Sequence, residues 1–230
     1  MLSDRDLGNH RLALTTLNSA IHNKMNIILP HLSELLPAVF GDTQVKPELI
    51  REVQMGPFKH KVDDGLELRK VCDVPLLHID GSFQLHRTNI HQSAYETLYA
   101  SLDTAFSVAH VSEFFDRILA GLEDEQDIRT ICNLMTSKLI PIAPEETQRY
   151  LDQLSERYSA VLSFKPKDNA VKQELEKAQE ASMGILKVTR ELSKAFPNAE
   201  VSGDHHKWKA YMEWVRKTFA TQLKSLETEF

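Results

Sequence analysis

Leu7-Gly8-Asn9-His10-Arg11-Leu12-Ala13-Leu14-Thr15-Thr16-Leu17-Asn18-Ser19-Ala20-Ile21 decides how the rest of the chain is read. Leu7, Leu12, Ala13, Leu14, Leu17, Ala20 and Ile21 recur at i, i+3, i+4 spacing, which is the period of one broad helix face. Ser3 is the expected N-cap. A second run, Asn26 to Phe40, places Ile28, Leu32, Leu35, Leu36 and Val39 on one side. Pro30 falls in its first turn, Pro37 is expected to kink or shorten it, and Gly41-Asp42 closes it. Together the two runs predict an antiparallel helix hairpin.

A shorter pattern then recurs: a basic residue or histidine, a small residue three places on, and an apolar residue three or four beyond. His10, Ala13 and Leu17 are one copy, and Arg129, Cys132 and Met135 another. Asp64-Gly65-Leu66-Glu67-Leu68-Arg69-Lys70 begins a copy that only Ser93-Ala94-Tyr95-Glu96-Thr97-Leu98 completes. Arg69 and Arg129 lie 60 residues apart, and leaving out the 22 residues Val71 to Gln92 leaves 38. That is close to the roughly 40–47 residues of a HEAT or armadillo unit. Such a helix pair cannot cover its own apolar face, so neighbours stack. Further helices are expected at Val111–Gly121, with Phe114, Phe115, Ile118 and Leu119 packed, and at Pro144–Ser163. Asn169–Ala195 and Trp208–Leu226 follow, with Pro197-Asn198-Ala199 and Val201 to Asp204 as a loop. The expected fold is all-α: a HEAT-repeat α-solenoid spanning residues 1–230 as one array.

Composition agrees. Only 8 glycines and 9 prolines occur in 230 residues, too few for a turn-rich sandwich or barrel. The net charge of −6 is the wrong sign for gripping a phosphate backbone. Cys72 and Cys132 form no disulfide framework and read as reduced thiols. Met1 to Asp6 lacks a secretory core, and no run of about 18 apolar residues occurs. Nucleus and cytoplasm are the expected locations, with no membrane partner.

One segment, Pro47 to Gly65, breaks the helical period. Gly56-Pro57 is a turn signal, flanked by arms holding Ile50, Val53, Phe58 and Val62. A β-hairpin or extended loop, about residues 45–64, is expected to protrude from the repeats. A loop packed back on its own repeat is the bland reading; Met55, Pro57 and Phe58 near an exposed tip suit interface anchors.

The run Glu48-Leu49-Ile50-Arg51-Glu52-Val53, then Met55-Gly56-Pro57-Phe58-Lys59-His60, then Val62-Asp63-Asp64-Gly65-Leu66 with Arg69-Lys70, closely resembles the C-terminal part of the cullin-associated and neddylation-dissociated proteins. Asn18-Ser19-Ala20 with His22-Asn23-Lys24, and Asn169 with Val171-Lys172-Gln173-Glu174 and Glu176-Lys177, agree. The resemblance implies a long HEAT solenoid wrapped around a cullin, the scaffold of a cullin–RING ubiquitin ligase. It implies that the C-terminal hairpin covers the cullin's N-terminal adaptor site and drives substrate-receptor exchange. Mapped onto this chain, Ile50, Val53, Met55, Pro57 and Phe58 are the expected contacts, with Lys59 and His60 supplying polar ones. A HEAT scaffold for another partner, such as a general transcription factor, is the alternative.

Two departures matter. Most of the family's length precedes what Met1 begins, so the chain reads as a fragment, a truncated gene model or a short form; RING-side contacts are not carried over. Val71 to Gln92 interrupts a helix that period and resemblance make continuous, and reads as a retained intron. Its 22 codons, 66 nucleotides, keep the frame. Val71 permits a leading GT, Gln92 a trailing AG, and Thr88-Asn89 a branch-point-like ACTAAC.

Catalytic motifs are missing: no Gly-rich phosphate loop, CxxC, HExxH or GxSxG. No enzyme activity, cofactor or small-molecule substrate is expected. His78, His86 and His91 lie in the suspect segment and are not read as metal ligands. His205-His206 reads as a solvated helix start, and Asp63-Asp64 as caps of the helix near Gly65. Glu174, Glu176, Lys177 and Glu180 read as a solvated face, and Trp208 and Trp214 as core or terminal capping.

Overall fold

The computed structural model describes residues 6–55, 58–69, 98–99, 101–102, 111–164, 172–201 and 203–228. It is an all-α helical-repeat fold with one small two-stranded sheet. The chain divides into two compact units, Met1–Phe106 and Ser107–Phe230.

In the first unit, α1 (Leu7–Asn23) is capped by Asp6, whose carboxylate accepts from the Asn9 N–H at 2.9 Å. Asp6 therefore takes the role expected of Ser3, which lies outside the described residues. The buried face is His10, Leu14, Leu17, Asn18 and Ile21, spaced i, i+4, i+7, i+8, i+11. Leu12, expected on this face, is 57% exposed, because it is two residues, about 200° of helix rotation, from both His10 and Leu14 and so lies opposite the buried stripe. The next helix is broken. α2 (Met25–Ile28) gives way to a 3₁₀ turn, Leu29–His31, and α3 (Leu32–Asp42) follows. The interruption sits at Pro30, where the missing N–H is accommodated at the start of the 3₁₀ turn. Pro37, expected to kink or shorten the helix, lies inside an unbroken α3. Leu32, Leu36, Val39 and Phe40 are buried.

At the end of α3 the buried Asp42 meets a histidine and a lysine. Its Oδ2 lies 2.7 Å from His10 Nε2, without the angle of a directed hydrogen bond. Its Oδ1 accepts from Lys46 Nζ at 3.0 Å. A 3₁₀ turn (Pro47–Leu49), β1 (Ile50–Met55), β2 (Phe58–Asp63) and α4 (Leu66–Arg69) complete the described run. The segment Val71–Gln92, with Cys72, lies outside the described residues.

The second unit is a set of packed helix pairs. α5 (Val111–Gly121) ends where expected and buries Phe114, Phe115 and Ile118, while Leu119 is only half-buried. α6 (Gln126–Ile142) buries Ile128, Ile131, Cys132, Met135 and Leu139. Burial, aided by the Asp124 charge, pushes the Cys132 thiol well up, so this cysteine is an inert packing group. The expected helix Pro144–Ser163 is two, α7 (Pro144–Arg149) and α8 (Leu151–Leu162), separated at Tyr150. The Tyr150 ring stacks on Phe115 at 4.3 Å and 9° between planes, a tertiary contact that local periodicity does not encode.

α9 (Lys172–Ala195) packs on α6 and buries Ile185, Leu186, Val188 and Leu192. The expected loop at Pro197–Ala199 is a 3₁₀ turn, Pro197–Glu200, with Ala199 buried. The last expected helix is also two, α10 (His206–Thr218) and α11 (Ala220–Thr228), broken at Phe219. α10 packs on α8 and buries Trp208, Tyr211, Met212 and Val215. Trp208, Tyr158 and Phe115 are fully enclosed, each contributing on the order of 1.5–3 kcal/mol of burial. Polar links fix the helix directions. Asp152 Oδ1 accepts from the Trp208 N–H at 2.9 Å, and the Thr189 and Tyr211 hydroxyls meet at 2.7 Å.

Candidate partner-binding hairpin

The hairpin begins where Pro47 starts a 3₁₀ turn and the Leu49 N–H donates to the Lys46 carbonyl at 3.0 Å. From there β1 and β2 pair antiparallel, with Ile50 opposite Asp63, Glu52 opposite Lys61, Val53 opposite His60 and Met55 opposite Phe58. Gly56 and Pro57 lie outside the described residues, as do the side chains of Met55 and Phe58. Among the strand side chains that are described, none is buried. Ile50 is 39% exposed, and Lys59, His60 and Lys61 are all exposed. The described strand side chains are therefore not part of a core.

Strand alternation divides the expected contacts between two faces. By register, positions 51, 53, 55, 58, 60 and 62 share one face. Thus Val53 and His60 stand on the same side as the Met55 and Phe58 positions. Ile50 and Lys59 stand on the other, with Glu52, Gln54, Lys61 and Asp63. Lys59 Nζ reaches Glu52 Oε2 at 3.4 Å, a solvent-exposed pair that competes weakly with an incoming partner.

At the root, Arg51 forks onto Asp64, with Nε to Oδ2 at 2.6 Å and Nη2 to Oδ1 at 3.2 Å. That hydrogen bond, then the Asp64 charge, raises the Arg51 guanidinium above its ordinary value. The same bond holds the Asp64 carboxyl below the usual aspartate value. Asp63 accepts from the Gly65 N–H at 2.9 Å and from Arg69 Nη2 at 2.7 Å. The expected capping by Asp63-Asp64 is therefore divided: Asp63 caps the turn into α4, while Asp64 faces the strand. Arg51, Arg69 and Asp64 were not legible as a root cluster. Their only sequence signal is two adjacent acids flanked by arginines 13 and 6 residues away.

Among the described residues, no group of three or more His, Cys, Asp or Glu is placed to hold a metal ion. No described helix is long and apolar enough to cross a membrane.

Comparison with known proteins places this hairpin in context. The family described as TATA-binding protein interacting (TIP20) matches residues 27–74 and 86–216; the unmatched stretch between them lies inside Val71–Gln92. An Emericella nidulans protein described as cullin-associated NEDD8-dissociated protein 1, C-terminal part, is 74% identical over 230 residues, covering all of this chain and 20% of that protein. Cullin-associated NEDD8-dissociated protein 1 of Drosophila melanogaster is 38% identical over 183 residues, 80% of this chain and 13% of that protein. Protein 2 of Mus musculus is 34% identical over 191 residues, 83% of this chain and 14% of that protein. The chain thus spans a fifth or less of the length of these curated relatives.

Proposed function

We propose that this chain, which belongs to the cullin-associated NEDD8-dissociated family, is a non-catalytic cullin-binding factor whose hairpin competes with a substrate-receptor adaptor. The observation that carries the reading is the hairpin itself: a paired two-stranded ribbon, no described side chain of it buried, fixed at its root. Apolar positions on a paired ribbon suit anchoring in a partner's cleft. The register adds that Val53 and His60, with the Met55 and Phe58 positions, act as one face. Ile50 and Lys59 serve a second, more polar face.

Competition of this kind needs only overlapping surfaces that can be vacated piecemeal, so that adaptor and chain share the cullin transiently. The adaptor and the chain weaken each other's hold on the cullin by the same factor, because coupling of binding free energies is reciprocal. No nucleophile, metal or cofactor takes part. Such exchange regulates assembly of cullin–RING ligases, and the chain acts in cytoplasm and nucleus.

The test is adaptor release. A labelled adaptor is bound to an unmodified cullin, and its dissociation is followed with and without this chain. Faster release, and equally weakened binding of the chain by added adaptor, supports the proposal. An unchanged adaptor off-rate refutes it. The name of the matched family, TATA-binding protein interacting, motivates one second arm: capture of a TATA-binding protein but no cullin would assign the scaffold to transcription instead.

A further inference from the structure

The two adjacent carboxylates at the hairpin root pull in opposite directions. Asp63 turns towards the helix, accepting from Arg69 Nη2 at 2.7 Å and from the Gly65 N–H at 2.9 Å. Asp64 turns back to the first strand, accepting the Arg51 fork at 2.6 and 3.2 Å. Its own N–H donates to the Leu49 carbonyl at 3.0 Å. The two pairs are unequal. Arg69 is 2% exposed, so its charge-assisted bond works away from water, where such bonds are strong. Arg51 is largely exposed, and water and salt screen its pair. Gly65 closes the root sterically: a Cβ there would stand 2.9 Å from Leu49 Cδ1 and 3.2 Å from Asp63 Oδ1. α4, which carries Arg69, packs against α1.

We propose that Asp63, Asp64 and Arg69 are positioning residues that lock the hairpin at one angle to α1. The lock presents the hairpin tip already aligned, so less freedom is lost on binding. The consequence for partner affinity rests on the hairpin reading above; the lock itself does not.

The test uses the full chain with Cys72→Ser, leaving the fully buried Cys132 in place. Nitroxides are attached at Lys61→Cys on the hairpin and Leu12→Cys on α1, both exposed sites, and their separation is read by pulsed electron spin resonance. The parent is expected to give one narrow distance peak. Asp63→Ala should broaden it about twofold or more, and Arg69→Lys, which keeps the charge but not the planar guanidinium, should lie between them. The spectra are recorded far below each variant's melting temperature, so lost stability alone does not move them. A broad parent peak, or an Asp63→Ala peak of unchanged width, overturns the lock. If Asp63→Ala fails to fold, the exposed pair decides: Arg51→Gln with Asp64→Asn should broaden the peak, and an unchanged width overturns the proposal. Cullin affinity is measured on the same proteins, with a roughly tenfold loss expected for Asp63→Ala. A broadened peak with undiminished affinity upholds the lock and refutes the hairpin's grip on cullin.

Discussion

His10 Nε2 of α1 lies 2.7 Å from Asp42 Oδ2 at the end of α3, and both side chains are buried. The same carboxylate holds Lys46 at 3.0 Å through its other oxygen. One acid therefore joins the first helix, the third helix and the turn that leads into the hairpin. Removing Asp42 leaves the buried His10 nitrogen and the half-buried Lys46 without that neighbour, a cost of about 1–3 kcal/mol. Asp42→Ala is expected to lower the urea midpoint accordingly. A change under about 0.5 kcal/mol, the level of an ordinary surface substitution, would contradict this role.

Glu200 gives a prediction with a pH signature. Burial acts to raise its carboxyl, but hydrogen bonds from Arg216 and Ser193, with the Arg216 charge, outweigh it and hold the group below its ordinary value of 4.5. The fork from Arg216 is short, 2.6 and 2.8 Å. A carboxyl depressed in the folded state adds stability above its unfolded value and loses it as pH falls through the folded value. Glu200→Gln should therefore melt lower than the parent at pH 7. The gap should shrink as pH drops below 4.5. A gap independent of pH would show that the ion pair is not its cause.

Asp152 reaches from α8 to the first turn of α10, taking the Trp208 N–H at 2.9 Å. The helix's own flanking residue, His205, makes no side-chain cap. Asp152→Ala should cost about 1 kcal/mol, the usual value of a lost cap. Amide exchange should report it first at the start of α10. Faster exchange spread evenly over α8 and α10 would argue against a local capping role.

How far the sequence carried depended on whether packing was local. α5 was legible through to its end at Gly121 because Val111, Phe114, Phe115 and Ile118 form an uninterrupted stripe. The hairpin strands fell within the expected segment because Gly56-Pro57 breaks the helical period. The splits at Tyr150 and Phe219 were not legible, since apolar spacing runs straight through both. His10 was assigned to a repeat pattern, but its neighbour in the core is Asp42, 32 positions away. For the residues proposed as contacts, the strands that carry them were readable as a segment; their division between two faces was not, because register is set by pairing.

The repeat spacing makes a prediction outside protein chemistry. If Val71–Gln92 is a retained intron, cDNA from the source organism should lack those 66 nucleotides and join Lys70 to Ser93. Transcripts that all contain the segment, or genomic edges without GT and AG, would establish it as coding sequence.

Binding of this chain to an unmodified cullin, measured with and without residues 50–63, probes the hairpin's role most directly. The deletion is designed to join Leu49 to Asp64 through a short Gly-Ser linker, and its helix content is checked by circular dichroism. A helical deletion variant whose affinity falls at least tenfold is the predicted result. Equal affinity for the two proteins would contradict the account, placing the grip on the helices and leaving the hairpin without a part in it.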